Sequence, residues 1–143
     1  MTAALELASP SVRRRRSFAS EADRVRLSAT ALKAFRRLVE EWDLTGAEAA
    51  ALLGVSVSTW DRLKPGGEGR TLSQDQMTRI SALTGIYKGL HLLFADGMAD
   101  RWPSLENSGP LFNGETPVGA MIEGGIPLML DVRRYVDAVR GGL

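Results

Sequence analysis

The sequence holds no cysteine and a single histidine, His91, in 143 residues. Without cysteine there is no disulfide and no thiolate to act as nucleophile or metal ligand, which fits a cytosolic protein. One histidine has no second imidazole with which to share a metal, so His91 reads as a satisfied core or boundary residue, and no metal or other cofactor is expected. No apolar run approaches the roughly 20 residues of a membrane span, so no membrane partner is expected. The arginines near the start are followed by no apolar stretch, which excludes a secretory signal. No segment alternates like a strand, and the expected fold class is all-α. Catalytic groupings are missing too. Asp96 and Asp100 lie four apart, but such a pair is usually a solvated helix face. The loop Pro65-Gly66-Gly67-Glu68-Gly69 is rich in glycine, yet no GxGxxG or GKS/GKT string follows it and the element before it is helical, so a phosphate cradle is not supported. A protein that is not an enzyme is expected.

What is present is an uneven distribution of charge. The net charge is +1, but residues 1–37 carry nine Lys/Arg against three Asp/Glu and residues 38–143 carry nine against fourteen. A basic front and an acidic back suggest two surfaces with different partners. Hydrophobic residues make up 44% of the chain, enough for a packed core in one domain or a small domain with an appendage.

The most informative stretch is Thr45 to Lys64, TGAEAAALLGVSVSTWDRLK. Thr45 followed three residues later by Glu48 is the spacing of a capping box. Small Ala50 lets a second helix approach, and Gly54 stands where a tight turn needs a positive φ. Ser56 can cap the next helix. Val55, Trp60 and Leu63 then point into a core, and Ser58, Thr59, Asp61 and Arg62 point away from it. This is the pattern of a helix-turn-helix, the unit that places a recognition helix in the DNA major groove. Ser56, Ser58, Thr59, Arg62 and Lys64 are the candidate DNA-binding residues, with Arg70 within reach of a phosphate.

Around this unit the chain divides into three. Residues 1–27 lack an apolar period and contain Arg13, Arg14, Arg15 and Arg16, a basic run open to two readings: a solvated tail, or an arm that contacts phosphates or a minor groove. Residues 28–94 form the expected DNA-binding and dimerisation domain. In it, Ser28 to Trp42 is an amphipathic helix on Leu32, Phe35, Leu38, Val39 and Trp42. Ser73, with Gln76 at the capping-box position, opens a further helix that Gly85 and Gly89 are expected to bend or break. Residues 95–143 form a helical C-terminal domain: a short helix ended by Pro103, a loop holding Leu111 and Phe112, a helix begun by Thr116-Pro117 and stopped at Gly124-Gly125, and a last helix from Pro127 to Val139.

The residues Arg101-Trp102, the string Pro110-Leu111-Phe112-Asn113-Gly114-Glu115-Thr116-Pro117, then Gly124-Gly125, and the end from Val132 to Gly142, VRRYVDAVRGG, resemble the toxin-binding domain of the Xre/MbcA/ParS antitoxins. In that family the domain follows an Xre-like helix-turn-helix, and the resemblance covers about residues 28 to 143. It implies an antitoxin that dimerises, represses its own operon at operator DNA, and covers the active-site entrance of a RES-domain toxin that degrades NAD or transfers ADP-ribose from it. It further implies that Arg133, Arg134, Tyr135, Arg140, Gly141, Gly142 and Leu143 lie against the toxin. The arginines are expected to pair with acidic groups of the toxin or with Asp131 and Asp137. The arginine run before Ser28 lies outside the shared region. The alternative is a stand-alone transcription regulator whose C-terminal domain only dimerises.

Overall fold

The computed structural model describes residues 18–66 and 69–141. Among them there are six α-helices and no strand: α1 (Glu21–Glu41), α2 (Gly46–Leu53), α3 (Val57–Leu63), α4 (Gln74–Leu93), α5 (Asp96–Arg101) and α6 (Pro117–Gly141), with a 3-10 turn at Trp102–Ser104. The all-α class is the observed one. No helix is long and apolar enough to cross a membrane among the described residues.

Helix α1 begins seven residues before Ser28, the expected start. Ser20 caps it by accepting from the Asp23 N–H at 3.3 Å, Glu21 and Asp23 place negative charge in its first turn, and Arg24 folds back to donate to the carbonyls of Phe18 and Ala19. This turn is built from polar side chains, which is why it carries no apolar period. Ser28 is therefore an interior residue. It is buried, and its hydroxyl accepts from the Leu72 N–H at 2.9 Å, tying α1 to the segment that leads into α4. Further along, Leu32, Phe35 and Leu38 face inward at helical spacing.

Helix α4 lies at the centre, with α1 and α6 packed on it. It runs unbroken through Gly85 and Gly89, contrary to the break expected from their low helix propensity. Tertiary packing overrides propensity here. A Cβ on Gly85 would stand 2.5 Å from the Arg133 guanidinium, and one on Gly89 2.6 Å from Val136 Cγ1. The two glycines, four apart on one helix face, make the groove in which α6 sits. Helix α6 does break where expected: Gly125 has φ 66 and ψ −156, and Pro127 lies just beyond it. The buried apolar side chains form one cluster from Leu32 to Val136, so α6 shares its core with the helix-turn-helix, and α2 itself packs against α6.

Candidate nucleic-acid interface and C-terminal face

Local chemistry fixes the helix-turn-helix. Thr45 and Glu48 close the capping box reciprocally, Thr45 N–H to Glu48 Oε1 at 2.9 Å and Glu48 N–H to Thr45 Oγ1 at 3.1 Å. Gly54 ends α2 in the left-handed region at φ 76, ψ 33. A side chain there would also meet the Arg79 Nε at 2.9 Å. Arg79, held by Asp75 at 2.8 Å, donates to the Leu52 carbonyl at 3.3 Å, so a residue of α4 ties down the last turn of α2. Sequence reading missed Arg79. Its spacing from Asp75 is that of an ordinary helix ion pair, and its carbonyl partner is 27 residues away.

Ser56 caps α3, accepting from the Thr59 N–H at 3.1 Å. Trp60 and Leu63 are buried, and Trp60 meets Phe35 of α1 edge-on with centroids 5.4 Å apart. Such a pair is worth about 0.5–1.5 kcal/mol beyond area burial. It fixes the rotation of α3 about its own axis, and so decides what α3 presents outward. Ser58, Asp61, Arg62 and Lys64 are exposed, and Thr59 is half-buried. Arg62 donates to Thr59 Oγ1 at 3.2 Å, and Lys64 pairs with Asp61 at 3.3 Å. Both are light surface contacts that a phosphate or a base edge can displace.

Cations flank α3. Arg36 of α1 donates to the Gly66 carbonyl just past its end, at 3.2 Å. On another side, a cleft of about 360 Å³ is lined by Arg24, Thr59, Arg70 and Ser73, among others. Arg24 and Arg36 of α1 and Arg70 beyond α3 thus bring positive charge beside the recognition helix, with Glu21 also on the cleft, and phosphates are drawn to such cations. Arg13, Arg14, Arg15 and Arg16 lie outside the described residues.

In the segment before α6, Phe112-Asn113-Gly114 makes a hook. Phe112 is buried between Trp102 and Tyr135, edge-on to both at 5.6 and 6.0 Å. Asn113 and Gly114 take positive φ, 51 and 87. Two bonds close the loop, Asn107 N–H to Glu115 O at 3.0 Å and Gly114 N–H to Asn107 O at 2.9 Å. Thr116 then caps α6 through the Gly119 N–H at 3.0 Å.

The candidate toxin-facing residues divide by direction. Arg133 lies across Gly85 and donates to the Ser81 carbonyl at 3.2 Å, and Tyr135 rests half-buried on Phe112. Both serve the packing of α6. Arg134 and Arg140 are exposed and pair with Asp131 and with Asp137 respectively, the latter at 3.5 Å, so the intramolecular pairing is the one observed for these two. Gly141 is exposed, and Gly142 and Leu143 lie outside the described residues.

A capped helix, a left-handed glycine turn and a second short helix with a polar outer face, set beside cations, define a DNA-binding helix-turn-helix protein. Residues 21–85 match the antitoxin Xre-like helix-turn-helix domain. That match begins at the first residue of α1. The chain is also 34% identical, over 113 residues, to the uncharacterized protein y4oB of Sinorhizobium fredii strain NBRC 101917 / NGR234, across 78% of this chain and 84% of that protein. The chain shares a family with y4oB, carries an antitoxin Xre-like helix-turn-helix domain, and is an antitoxin or DNA-binding regulator.

Proposed function

We propose that this protein is the antitoxin of a two-component module, which represses its own operon through α3 and neutralises a RES-domain, NAD-consuming toxin through residues 95–143. The observation that carries the reading is the antitoxin-type helix-turn-helix at residues 21–85 joined to a helical C-terminal segment whose last helix, packed on α4, keeps exposed charge at Arg134 and Arg140. Ser56, Ser58, Thr59, Arg62 and Lys64 are assigned to DNA, with Ser56 acting mainly as the cap of α3. Arg13 to Arg16 are assigned to phosphates. Arg134, Arg140 and the residues from Gly141 on are assigned to the toxin, with Arg133 and Tyr135 holding the helix that presents them. A toxin cleft that accepts NAD phosphates is basic, and the acidic surplus of residues 38–143 is drawn to its rim. The glycines at the end allow entry into a narrow space.

Dimerisation belongs to the same proposal. Leu92, Phe94 and Met98 at the α4–α5 corner are exposed apolar side chains, and a two-fold protein suits a two-fold operator. If these residues only join protomers and no toxin is bound, the chain is a stand-alone regulator.

The test asks whether a RES-domain reading frame adjoins this gene and, with a RES-domain protein co-expressed, compares the full chain with a chain truncated after Val139. The full chain should restore growth and co-purify with the toxin. The truncated chain should fold and bind operator DNA but rescue poorly. Equal rescue would move the blocking contact out of the terminus, and absence of any complex with the full chain would leave the regulator reading.

A further inference from the structure

One polar cluster lies at the α4–α5 corner, among the exposed Leu92, Phe94 and Met98. His91 stands in the last turn of α4, and each nitrogen of its ring is at hydrogen-bond distance from a carboxylate of α5: Nδ1 is 3.0 Å from Asp96 Oδ1 and Nε2 is 2.9 Å from Asp100 Oδ1. Asp96 and Asp100 are one turn apart, so both reach the ring from one side of a short helix. A neutral imidazole has one N–H to give and sets a lone pair against the other carboxylate, whereas an imidazolium donates to both. The arrangement is complete only for the charged ring.

The surroundings favour the same state. From α1, Glu41 faces the ring and is itself paired with Arg37 at 3.2 Å. From α4, Tyr87 lies against the ring with centroids 4.4 Å apart. Among the described residues, Asp96, Asp100 and Glu41 with Arg37 thus give the imidazole a net negative setting. The C-terminal end of α4 adds the negative end of its dipole.

We propose that His91 is a proton-dependent latch that fastens α5 to α4 and α1, so that the first helix of the C-terminal segment docks more tightly when the imidazole is charged. Burial pulls the His91 pKa down, and the hydrogen bonds to Asp96 and Asp100 outweigh it, leaving it raised above the ordinary 6.5. Tyr87 is pushed up to about 12 by burial and by Glu41, and the Glu41 carboxyl is held low by its hydrogen bond to Tyr87 against the opposing effect of burial, so neither titrates near neutrality. With the folded value above the unfolded one, the latch contributes fully below the unfolded pKa and is lost as pH rises through the folded one.

The test is made on the full chain, free of toxin and DNA. NMR of the His91 ring gives its titration midpoint. Hydrogen exchange gives the protection factors of the α5 amides, referred to those of α1, between slightly acidic and alkaline pH. In the wild type the ring should titrate above the ordinary histidine value, and α5 protection should fall with rising pH by up to about tenfold per pH unit, the limit for one proton. In H91Q the α5 profile should be flat. D96N and D100N, which keep the ring, should each lower the midpoint, so a failure of H91Q to fold leaves the question answerable. A midpoint at or below the ordinary value, or an α5 profile shared by wild type and H91Q, would overturn the latch.

Discussion

Replacing Ser28 by Ala probes the joint between α1 and the rest of the fold. The serine is 3% exposed and Leu72 is 1% exposed, so water cannot take the place of the bond between them. Alanine removes the acceptor for the Leu72 N–H and leaves that donor buried and unsatisfied, which costs about 1–3 kcal/mol. The hydroxyl also donates to the Arg24 carbonyl within α1, but that carbonyl keeps its place in the helix. Alanine is the better helix former by up to about 0.5 kcal/mol, which offsets part of the loss. The cavity left by one oxygen is negligible. A net destabilisation of about 1–2 kcal/mol follows, or about 3–7 °C in Tm for a domain of this size. Thermal unfolding followed by circular dichroism reads the shift. Urea titration should show a lower midpoint with the slope unchanged. Exchange of the Leu72 amide should accelerate more than that of its neighbours. A Tm within about 1 °C of wild type, with the Leu72 amide still protected, would refute the reasoning, because the measured loss would then fall below any cost of an orphaned buried donor.

Gly89→Ala should destabilise the protein by about 1 kcal/mol. Its new methyl meets the stiff Val136 side chain at 2.6 Å, and the strain of overpacking outweighs the gain in helix propensity; Val136→Ala in the same chain should recover part of the loss. Gly85→Ala meets only the movable end of Arg133 and should lie within about 0.5 kcal/mol of wild type, so chemical denaturation of the two variants side by side separates packing from propensity. Phe112→Ala removes the anchor of the loop before α6 and should cost about 3–5 kcal/mol, with loss of the near-ultraviolet dichroism of Trp102 and Tyr135; an unchanged aromatic signal would mean that the hook does not organise this end.

The parts of this fold that were legible in the sequence are those whose determinants lie within a few residues of one another. The capping boxes at Thr45 and Ser73, the left-handed Gly54, the cap at Ser56 and the break at Gly125 are local chemistry, and the structure has each of them. What escaped depends on partners far along the chain. The first turns of α1 hold polar residues on their inner side, and Ser28 is satisfied by a backbone group 44 positions later. Gly85 and Gly89 read as weak points until α6 is laid across them. Asp96 is solvated as expected, but nothing local says that the chain reverses at Phe94 and brings its carboxylate and that of the half-buried Asp100 to His91. The C-terminal arginines were visible as a cluster, but their directions were not. Arg133 is drawn into the α4 groove, whereas Arg134 and Arg140 stay at the surface, and only the packing of α6 decides which is which.

The central claim is that α3 reads DNA through its outward face, and Arg62 is the side chain that tests it most directly. It is exposed, among the described residues its hydrogen bond is to Thr59 on the same helix, and the core beneath it is formed by Trp60 and Leu63 instead. Arg62→Ala should therefore leave thermal unfolding unchanged. Fluorescence anisotropy titration of the full chain against the DNA preceding its own gene, at one fixed salt concentration, should show R62A binding about 5- to 150-fold more weakly, corresponding to about 1–3 kcal/mol for a lost base contact. Arg134→Ala, on the exposed side of α6, should bind as the wild type does. Equal affinity of R62A and wild type for that DNA would contradict the assignment of α3 as the recognition helix.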